Sequence, residues 1–141
     1  MDRPLRILLV DDSDDDILLI KNAFKKCDRL SIIDAVNDGQ EALNYLKQIG
    51  EYSEAERPDM LLLDINMPVI GGFEVLEHLS KHDDFMSLPV VMLTTSDNED
   101  DVTNSYKLGA CSYIRKPDTF SDMKGITEKF ENYWCSTVKI P

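Results

Sequence analysis

The sequence Leu-Leu-Asp-Ile-Asn-Met-Pro at residues 62–68 places a carboxylate, Asp64, directly after a short apolar run. Five such runs occur along the chain, at residues 7–10, 32–36, 60–63, 90–93 and 112–114. The runs are short and do not alternate between apolar and polar residues, which is typical of strands buried on both faces. The run before Asp64 therefore predicts a strand inside a parallel sheet, with the acid at its carboxyl end.

Segments with helical periodicity lie between the apolar runs. Ser13 and Asp16, for example, form a capping signal before the first helix, and the acids at 14–16 favour the positive end of its dipole. Five strands alternating with five helices predict an α/β fold with a doubly wound parallel sheet in the order 2-1-3-4-5. We expect residues 1–141 to form one domain, with a core at about 5–134 and a C-terminal tail at 135–141.

Composition narrows the classes of function. The 141 residues are 43% hydrophobic and 30% charged, as in ordinary globular proteins, and the net charge is −12. A surface this acidic repels nucleic-acid backbones and anionic lipids, so we expect binding to neither nucleic acid nor membrane. The cysteines are scattered, which indicates reduced thiols. The apolar runs are too short to cross a bilayer. Together these features indicate a cytoplasmic protein.

Polar side chains follow the predicted strands where a ligand site is expected. In an open α/β sheet, ligands bind beyond the carboxyl ends of the strands, near the point where the strand order reverses. Asp11 and Asp12 follow the first run, and Asp64 follows the third. Thr94 follows the fourth run, and Lys116 comes shortly after the fifth. Because the first and third strands should be neighbours about 4.8 Å apart, we expect the three carboxylates to crowd into one pocket.

Such a pocket suits phosphoryl transfer. Crowded carboxylates repel one another unless a cation compensates them, and Mg²⁺ prefers carboxylate and carbonyl oxygens. A carboxylate can act as a nucleophile and become an acyl phosphate. Positive charge from Mg²⁺ and Lys116, with a hydroxyl donor from Thr94, would stabilise a phosphoryl group moving to Asp64.

Four motifs resemble those of the response-regulator receiver family of two-component signalling. They are Leu-Val-Asp-Asp at 9–12, Leu-Leu-Asp-Ile-Asn-Met-Pro at 62–68, Leu-Thr-Thr-Ser at 93–96 and Tyr-Ile-Arg-Lys-Pro at 113–117. Each stands, in order, at the end of the appropriate predicted strand, so the resemblance extends along nearly the whole chain. It implies the flavodoxin-like receiver fold and a response regulator that catalyses only its own phosphorylation and dephosphorylation.

The resemblance implies roles for the acidic residues. Asp64 resembles the phosphoacceptor and also a metal ligand. Asp12 resembles a direct ligand of Mg²⁺, Asp11 a ligand mostly through water, and Asn66 a ligand through its backbone carbonyl. The chain departs from the family at Gly71, where an aspartate usually precedes the glycine that follows. The residue at this position does no chemistry, so the departure leaves the catalytic assignment intact.

The same resemblance implies roles for the residues of the fourth and fifth strands. Lys116 resembles the catalytic lysine, and its peptide bond to Pro117 is expected to be cis. Thr94 resembles the hydroxyl that turns toward the phosphoryl group, and Tyr113 the aromatic residue that swings inward behind it. Thr95 is expected to tune the lifetime of the phosphorylated form by shading the acyl phosphate from water.

A closer resemblance is to the single-domain receivers that pair with bacterial phytochrome-type histidine kinases. It rests on Glu-Tyr-Ser-Glu-Ala-Glu-Arg-Pro-Asp at 51–59, on Leu-Thr-Thr-Ser at 93–96 and on the C-terminal sequence at 133–141. It implies a sensor histidine kinase as partner, with no output domain attached to this chain. The output stays open: an output protein, a homodimer, or a phosphorelay in which a histidine phosphotransfer protein receives the phosphoryl group. The tail, with Val138 and Ile140, could pack on a second subunit or be a frayed terminus.

Three other classes of function are weaker. Phosphatases of the haloacid dehalogenase type use Asp-x-Asp, whereas this chain has Asn66 at the second position, and an amide cannot act as the acid and base. A flavin carrier is disfavoured because the acids would repel a flavin phosphate. A receiver-shaped scaffold that is never phosphorylated usually lacks part of the active set, which this chain keeps.

Overall fold

Five strands and five α-helices alternate along residues 3–141, which are the residues that the computed structural model describes. The strands are β1 (Leu5–Val10), β2 (Leu30–Val36), β3 (Met60–Leu63), β4 (Val90–Thr94) and β5 (Ser112–Arg115). The helices are α1 (Asp14–Phe24), α2 (Gly39–Leu46), α3 (Gly72–Ser80), α4 (Glu99–Lys107) and α5 (Phe120–Asn132). All strand pairs are parallel, in the order β2-β1-β3-β4-β5. The predicted fold class and strand order are confirmed.

Strand β3 shows why a run of apolar residues produces a sheet covered on both faces. Successive side chains of a strand point to opposite faces. Leu61 and Leu63 pack in the core formed with α2 and α3, while Met60 and Leu62 pack in the core formed with α1 and α5. Burial of each such side chain contributes about 1.5–3 kcal/mol to the stability of the fold. The centre of the sheet is therefore rigid, and it fixes the position of the residues at the ends of its strands.

Side-chain caps start most of the helices. The hydroxyl of Ser13 accepts a hydrogen bond from the backbone N–H of Asp16 at 3.2 Å, as the capping signal predicts. Helix α3 is different, because the residue at its N-cap position is Gly71 and has no side chain. There the backbone N–H of Gly71 donates to Glu74 at 3.3 Å. Among residues 3–141, no helix is long and apolar enough to cross a membrane.

The C-terminal segment packs on its own domain. A π-helical turn, Tyr133–Thr137, continues directly from α5, so the chain has no break at residue 134. The backbone N–H of Val138 donates to the carbonyl of Tyr133 at 3.1 Å. Ile140 is partly buried against the core that contains Leu5. In this chain the segment therefore lies against the N-terminal end of the sheet rather than projecting as a frayed terminus.

The start of α3 approaches the end of β3 very closely. The backbone N–H of Gly72 donates to the carbonyl of Ile65 at 2.8 Å. A Cβ atom at Gly72 would lie 2.2 Å from the backbone carbonyl oxygen of Asp64 and 3.0 Å from the Cα of Ile65. No side chain fits in this space, because both neighbouring atoms belong to the backbone. Glycine at this position therefore lets α3 brace the backbone of Asp64.

Replacing Gly72 by alanine should lower the free energy of unfolding by about 1–3 kcal/mol, because the backbone must move to admit the methyl group. Gly125, inside α5, is the control, since a Cβ there meets nothing within 4 Å. Gly125→Ala should raise the free energy of unfolding by about 0.4–1 kcal/mol. Urea denaturation followed by circular dichroism measures both values. Equal effects of the two substitutions would contradict the close approach at Gly72.

Candidate functional site

Three acids meet at the carboxyl ends of β1 and β3. Val10 and Leu63 are partners in the parallel ladder, so the residues that follow them leave the sheet side by side. The backbone N–H of Asp64 donates to the carbonyl of Val10 at 3.0 Å. The structure brings together carboxylate oxygens of Asp11, Asp12 and Asp64, all within 4.8 Å of one another.

The three acids differ in burial. Asp11 is 1% exposed and Asp64 is 7% exposed, whereas Asp12 lies at the surface. Burial raises the pKa of Asp11, although the neighbouring ammonium of Lys116 and a hydrogen bond from the backbone N–H of Ser13 act in the opposite direction. The backbone N–H of Ile65 donates to Oδ1 of Asp64 at 2.8 Å. The pocket is therefore partly desolvated at its floor and open to water on the side of Asp12.

Lys116 enters this pocket from the end of β5 and is 5% exposed. Its Nζ lies 2.5 Å from Oδ2 of Asp11, 2.9 Å from Oδ2 of Asp16 and 3.2 Å from Oδ2 of Asp64. Burial alone lowers the pKa of this amine. The close ion pair with Asp11, the hydrogen bond to Asp16 and the charge of Asp64 outweigh burial and raise the pKa of Lys116 above its usual value. The side chain is therefore held as an ammonium ion among carboxylates.

Asp16 is a site residue that the sequence motifs do not single out. The first-turn pattern explains Asp14, Asp15 and Asp16 by the helix dipole, but only Asp16 contacts Lys116. A signal for this was present, because Asp16 precedes the buried residue Ile20 by four positions. Residues four apart lie on the same face of a helix, so the pattern places Asp16 on the side of α1 that faces the sheet.

Ser96, to which the sequence motifs assign no role, contacts both Thr94 and Tyr113. Thr94 is fully buried, and its hydroxyl oxygen accepts a long contact of 3.5 Å from the backbone N–H of Ser96. The hydroxyl of Tyr113 donates to the backbone carbonyl of Ser96 at 2.7 Å. The hydroxyl of Ser96 donates to Asp101 of α4 at 2.6 Å. Ser96 therefore links the pocket to both β5 and α4.

The remaining predicted site residues lie in loops at the same edge. Asn66 is exposed two positions beyond Asp64, and Thr95 is exposed directly after β4, where its effect on lifetime stays a prediction. The expected cis bond between Lys116 and Pro117 is wrong, since no cis peptide occurs in the described chain. The trans form of an X–Pro bond is favoured by about 0.5–1 kcal/mol, and Lys116 reaches the acids in this form.

The pocket fits a divalent cation. Oδ2 of Asp11 is buried and has no partner in hydrogen-bond geometry, although Lys116 Nζ is 2.5 Å away. Carboxylate oxygens from Asp11, Asp12 and Asp64 form the kind of donor set that Mg²⁺ prefers. The exposure of Asp12 leaves room for the waters that Mg²⁺ retains. These residues, with the backbone carbonyl of Asn66 nearby in the chain, could hold the ion.

Comparison with known proteins gives one family for most of the chain. Residues 7–128 match the family described as response regulator receiver domain. The response regulator Rcp1 of Synechocystis sp. is 38% identical over 138 residues, which cover 98% of this chain and 94% of Rcp1.

Two solved structures share the fold over nearly their full length. The phosphorylated cyanobacterial phytochrome response regulator RcpA has a TM-score of 0.89 and 40% identity, covering 98% of this chain and 99% of that one. The Mn²⁺-bound form of Rcp1 has a TM-score of 0.84 and 39% identity, with the same coverage of 98% and 99%. The arrangement of strands and helices is thus shared with RcpA and Rcp1.

Proposed function

The chain belongs to the response regulator receiver domain family, and from this we propose that Asp64 accepts a phosphoryl group from a sensor histidine kinase. The observation that carries the proposal is the position of the Asp64 carboxylate, 3.2 Å from the Lys116 ammonium and beside two further acids. Response regulators with receiver domains are generally signalling proteins rather than enzymes. The only catalysis proposed for this chain is its own phosphorylation and dephosphorylation.

The transfer itself is a nucleophilic displacement at phosphorus. A carboxylate oxygen of Asp64 forms the new O–P bond while the N–P bond of a kinase phosphohistidine breaks, and the imidazole leaves. Mg²⁺, when bound by the acidic pocket, supplies positive charge next to the phosphoryl oxygens. Lys116 already donates from its ammonium to Oδ2 of Asp64 and would donate to a phosphoryl oxygen once the group is transferred. The buried hydroxyl of Thr94 supplies a further donor at the end of β4.

The phosphorylated form should last long enough to act as a signal. Asn66 occupies the position where a phosphatase of the aspartyl-phosphate type has its acid and base, and an amide cannot transfer protons in that way. This supports a signalling role rather than turnover of phosphate esters. A carrier role in a phosphorelay has no observation in its favour among the described residues or in the relatives above, so a kinase-controlled response regulator is the function we propose.

A route from the pocket to the surface runs through Ser96. A phosphoryl group brings about −1.5 to −2 charges, which draw the Thr94 hydroxyl toward it and away from the backbone of Ser96. Ser96 contacts both Tyr113 and α4, so its movement changes the surface formed by α4, β5 and α5. Moving a two-state equilibrium from 1:99 to 99:1 takes about 5.5 kcal/mol, which a few charge-assisted hydrogen bonds can supply.

The partners follow from the same proposal. The description of RcpA as a phytochrome response regulator supports a phytochrome-type histidine kinase as the donor. The reaction would take place in the cytoplasm, where such kinases keep their catalytic domains. The output is a changed affinity of the α4, β5 and α5 surface for an output protein or for a second copy of the chain. Neither nucleic acid nor membrane is proposed as a partner of a chain with a net charge of −12.

Incubation with acetyl phosphate and Mg²⁺ should add one phosphoryl group to the wild-type chain and none to Asp64→Asn, because the amide is not a nucleophile. Intact-mass spectrometry decides between these outcomes. Asp15→Asn is the matched control, since Asp15 is exposed in the first turn of α1 and has the same change in charge. Labelling of Asp64→Asn to the wild-type level would rule out Asp64 as the acceptor.

Phosphorylation should increase self-association through the surface that contains α4. Tyr106 of α4 is 49% exposed, and Tyr133, near the C-terminus, is 51% exposed. With a phosphoryl mimic bound, light scattering should give a larger mass for the wild-type chain and for Tyr133→Ala, but not for Tyr106→Ala. An unchanged mass of the wild-type chain would mean that the surface serves a different protein, and an equal loss in both variants would place the contact elsewhere.

A further inference from the structure

Asp16 gives the pocket a fourth carboxylate, which lies on a helix instead of at a strand end. The Lys116 ammonium donates to Oδ2 of Asp16 at 2.9 Å and to Oδ2 of Asp64 at 3.2 Å. The side chain of Asp16 is 34% exposed, whereas that of Lys116 is 5% exposed. Asp16 therefore lies at the mouth of the pocket and contacts the buried ammonium group of Lys116.

The three N–H donors of the ammonium face three acids. A lysine ammonium group has three donors and no acceptor, and its contacts here are to Asp11, Asp16 and Asp64. Only one of the three acids, Asp64, changes chemically in phosphoryl transfer. When its carboxylate becomes an acyl phosphate, the donor that faced Asp64 can pass to a phosphoryl oxygen. The other two contacts can stay in place during this exchange.

Asp16 is better suited than Asp11 to hold the ammonium throughout. Asp11 belongs to the cluster of acids that fits the metal, and Asp16 does not. A metal ion would therefore compete with Lys116 for Asp11 but leave Asp16 free to accept from the ammonium. This matters because lysine has a flexible four-carbon stem, and a donor that is already in position costs no reorganisation during the transfer.

We propose that Asp16 is a positioning residue for Lys116, keeping the ammonium beside Asp64 before and during phosphoryl transfer. The inference rests on the proposed phosphorylation of Asp64 and adds a residue to that reaction. The competing explanation is that Asp16 only stabilises the positive end of the α1 dipole. Asp15 shares the first turn of α1 and has no contact with Lys116 among residues 3–141, so it separates the two explanations.

The kinetic test compares the wild-type chain with Asp16→Asn, Asp16→Glu and Asp15→Asn, at saturating Mg²⁺ and with acetyl phosphate as donor. Asp16→Asn should slow phosphorylation by about three- to tenfold, since a charge-assisted hydrogen bond becomes a weaker neutral one. Asp16→Glu should recover most of the rate, because it restores a carboxylate that can reach Lys116. Asp15→Asn should match the wild type.

A spectroscopic measurement follows the ammonium group directly. In ¹⁵N-lysine-labelled protein, the Lys116 ammonium should give a resolved signal, because it is buried and hydrogen-bonded, and Lys116→Arg assigns that signal by removing it. The signal should persist in Asp15→Asn and broaden or shift in Asp16→Asn. A purely structural role for Asp16 would leave it unchanged.

The outcomes distinguish this inference from the proposed function. If the wild-type chain is phosphorylated on Asp64 while Asp16→Asn matches Asp15→Asn in rate and in the lysine signal, the positioning role is overturned and the proposed function stands. Equal slowing in Asp16→Asn and Asp16→Glu would also overturn it, since the charge would not matter. If the wild-type chain takes no phosphoryl group on Asp64, both the proposed function and the inference fail.

Discussion

Parallel pairing of β1 with β3 places the residues after the two strands next to one another, and in this chain those residues are acids. The carboxylate oxygens of Asp11, Asp12 and Asp64 come within 4.8 Å of one another. Two like charges 4 Å apart repel by about 4 kcal/mol at an effective dielectric constant of 20. The sheet cannot relieve this repulsion, because β1 and β3 are buried along their whole length apart from Arg6. The compensation must come from positive charge brought into the pocket.

Lys116 supplies that charge, but only one unit of it. The Lys116 ammonium faces three acids, and Asp12 adds a fourth at the surface. The remaining negative charge makes the pocket suitable for a divalent cation, and in the function that we propose a bound cation would offset the negative charge of the incoming phosphoryl group. The rigid parts of the fold keep these groups in place: the buried strands fix the acids, and Gly72 lets α3 press on the backbone of Asp64. The same repulsion that weakens the fold locally is thus what gives the pocket its chemistry.

Much of this arrangement could be predicted from the sequence because it depends on burial and topology. Apolar runs covered on both faces indicate a parallel sheet, and the order of a doubly wound sheet brings Asp11 and Asp64 to one edge. The four-residue spacing of Asp16 and Ile20 indicates the face of α1 on which Asp16 lies. Its contact with Lys116, like the contacts of Ser96, depends on which way individual side chains turn, and the sequence does not give that. The C-terminal segment is similar: the alternation of Val138 and Ile140 indicates an extended segment but not the surface that it covers. The Lys116–Pro117 bond was expected to be cis from resemblance alone, with no local interaction in this chain that required it.

If a bound cation relieves the repulsion among the acids, Mg²⁺ must stabilise the wild-type chain more than it stabilises Asp12→Asn. Urea denaturation should be measured for the wild-type chain and for this variant, with and without Mg²⁺. Without Mg²⁺ the variant should be the more stable of the two, because one repelling charge is gone. With saturating Mg²⁺ the order should reverse, because binding to the folded state stabilises the wild type more. If Asp12→Asn is less stable than the wild type without Mg²⁺, or gains as much stability from Mg²⁺ as the wild type does, repulsion among the acids is not what the cation relieves.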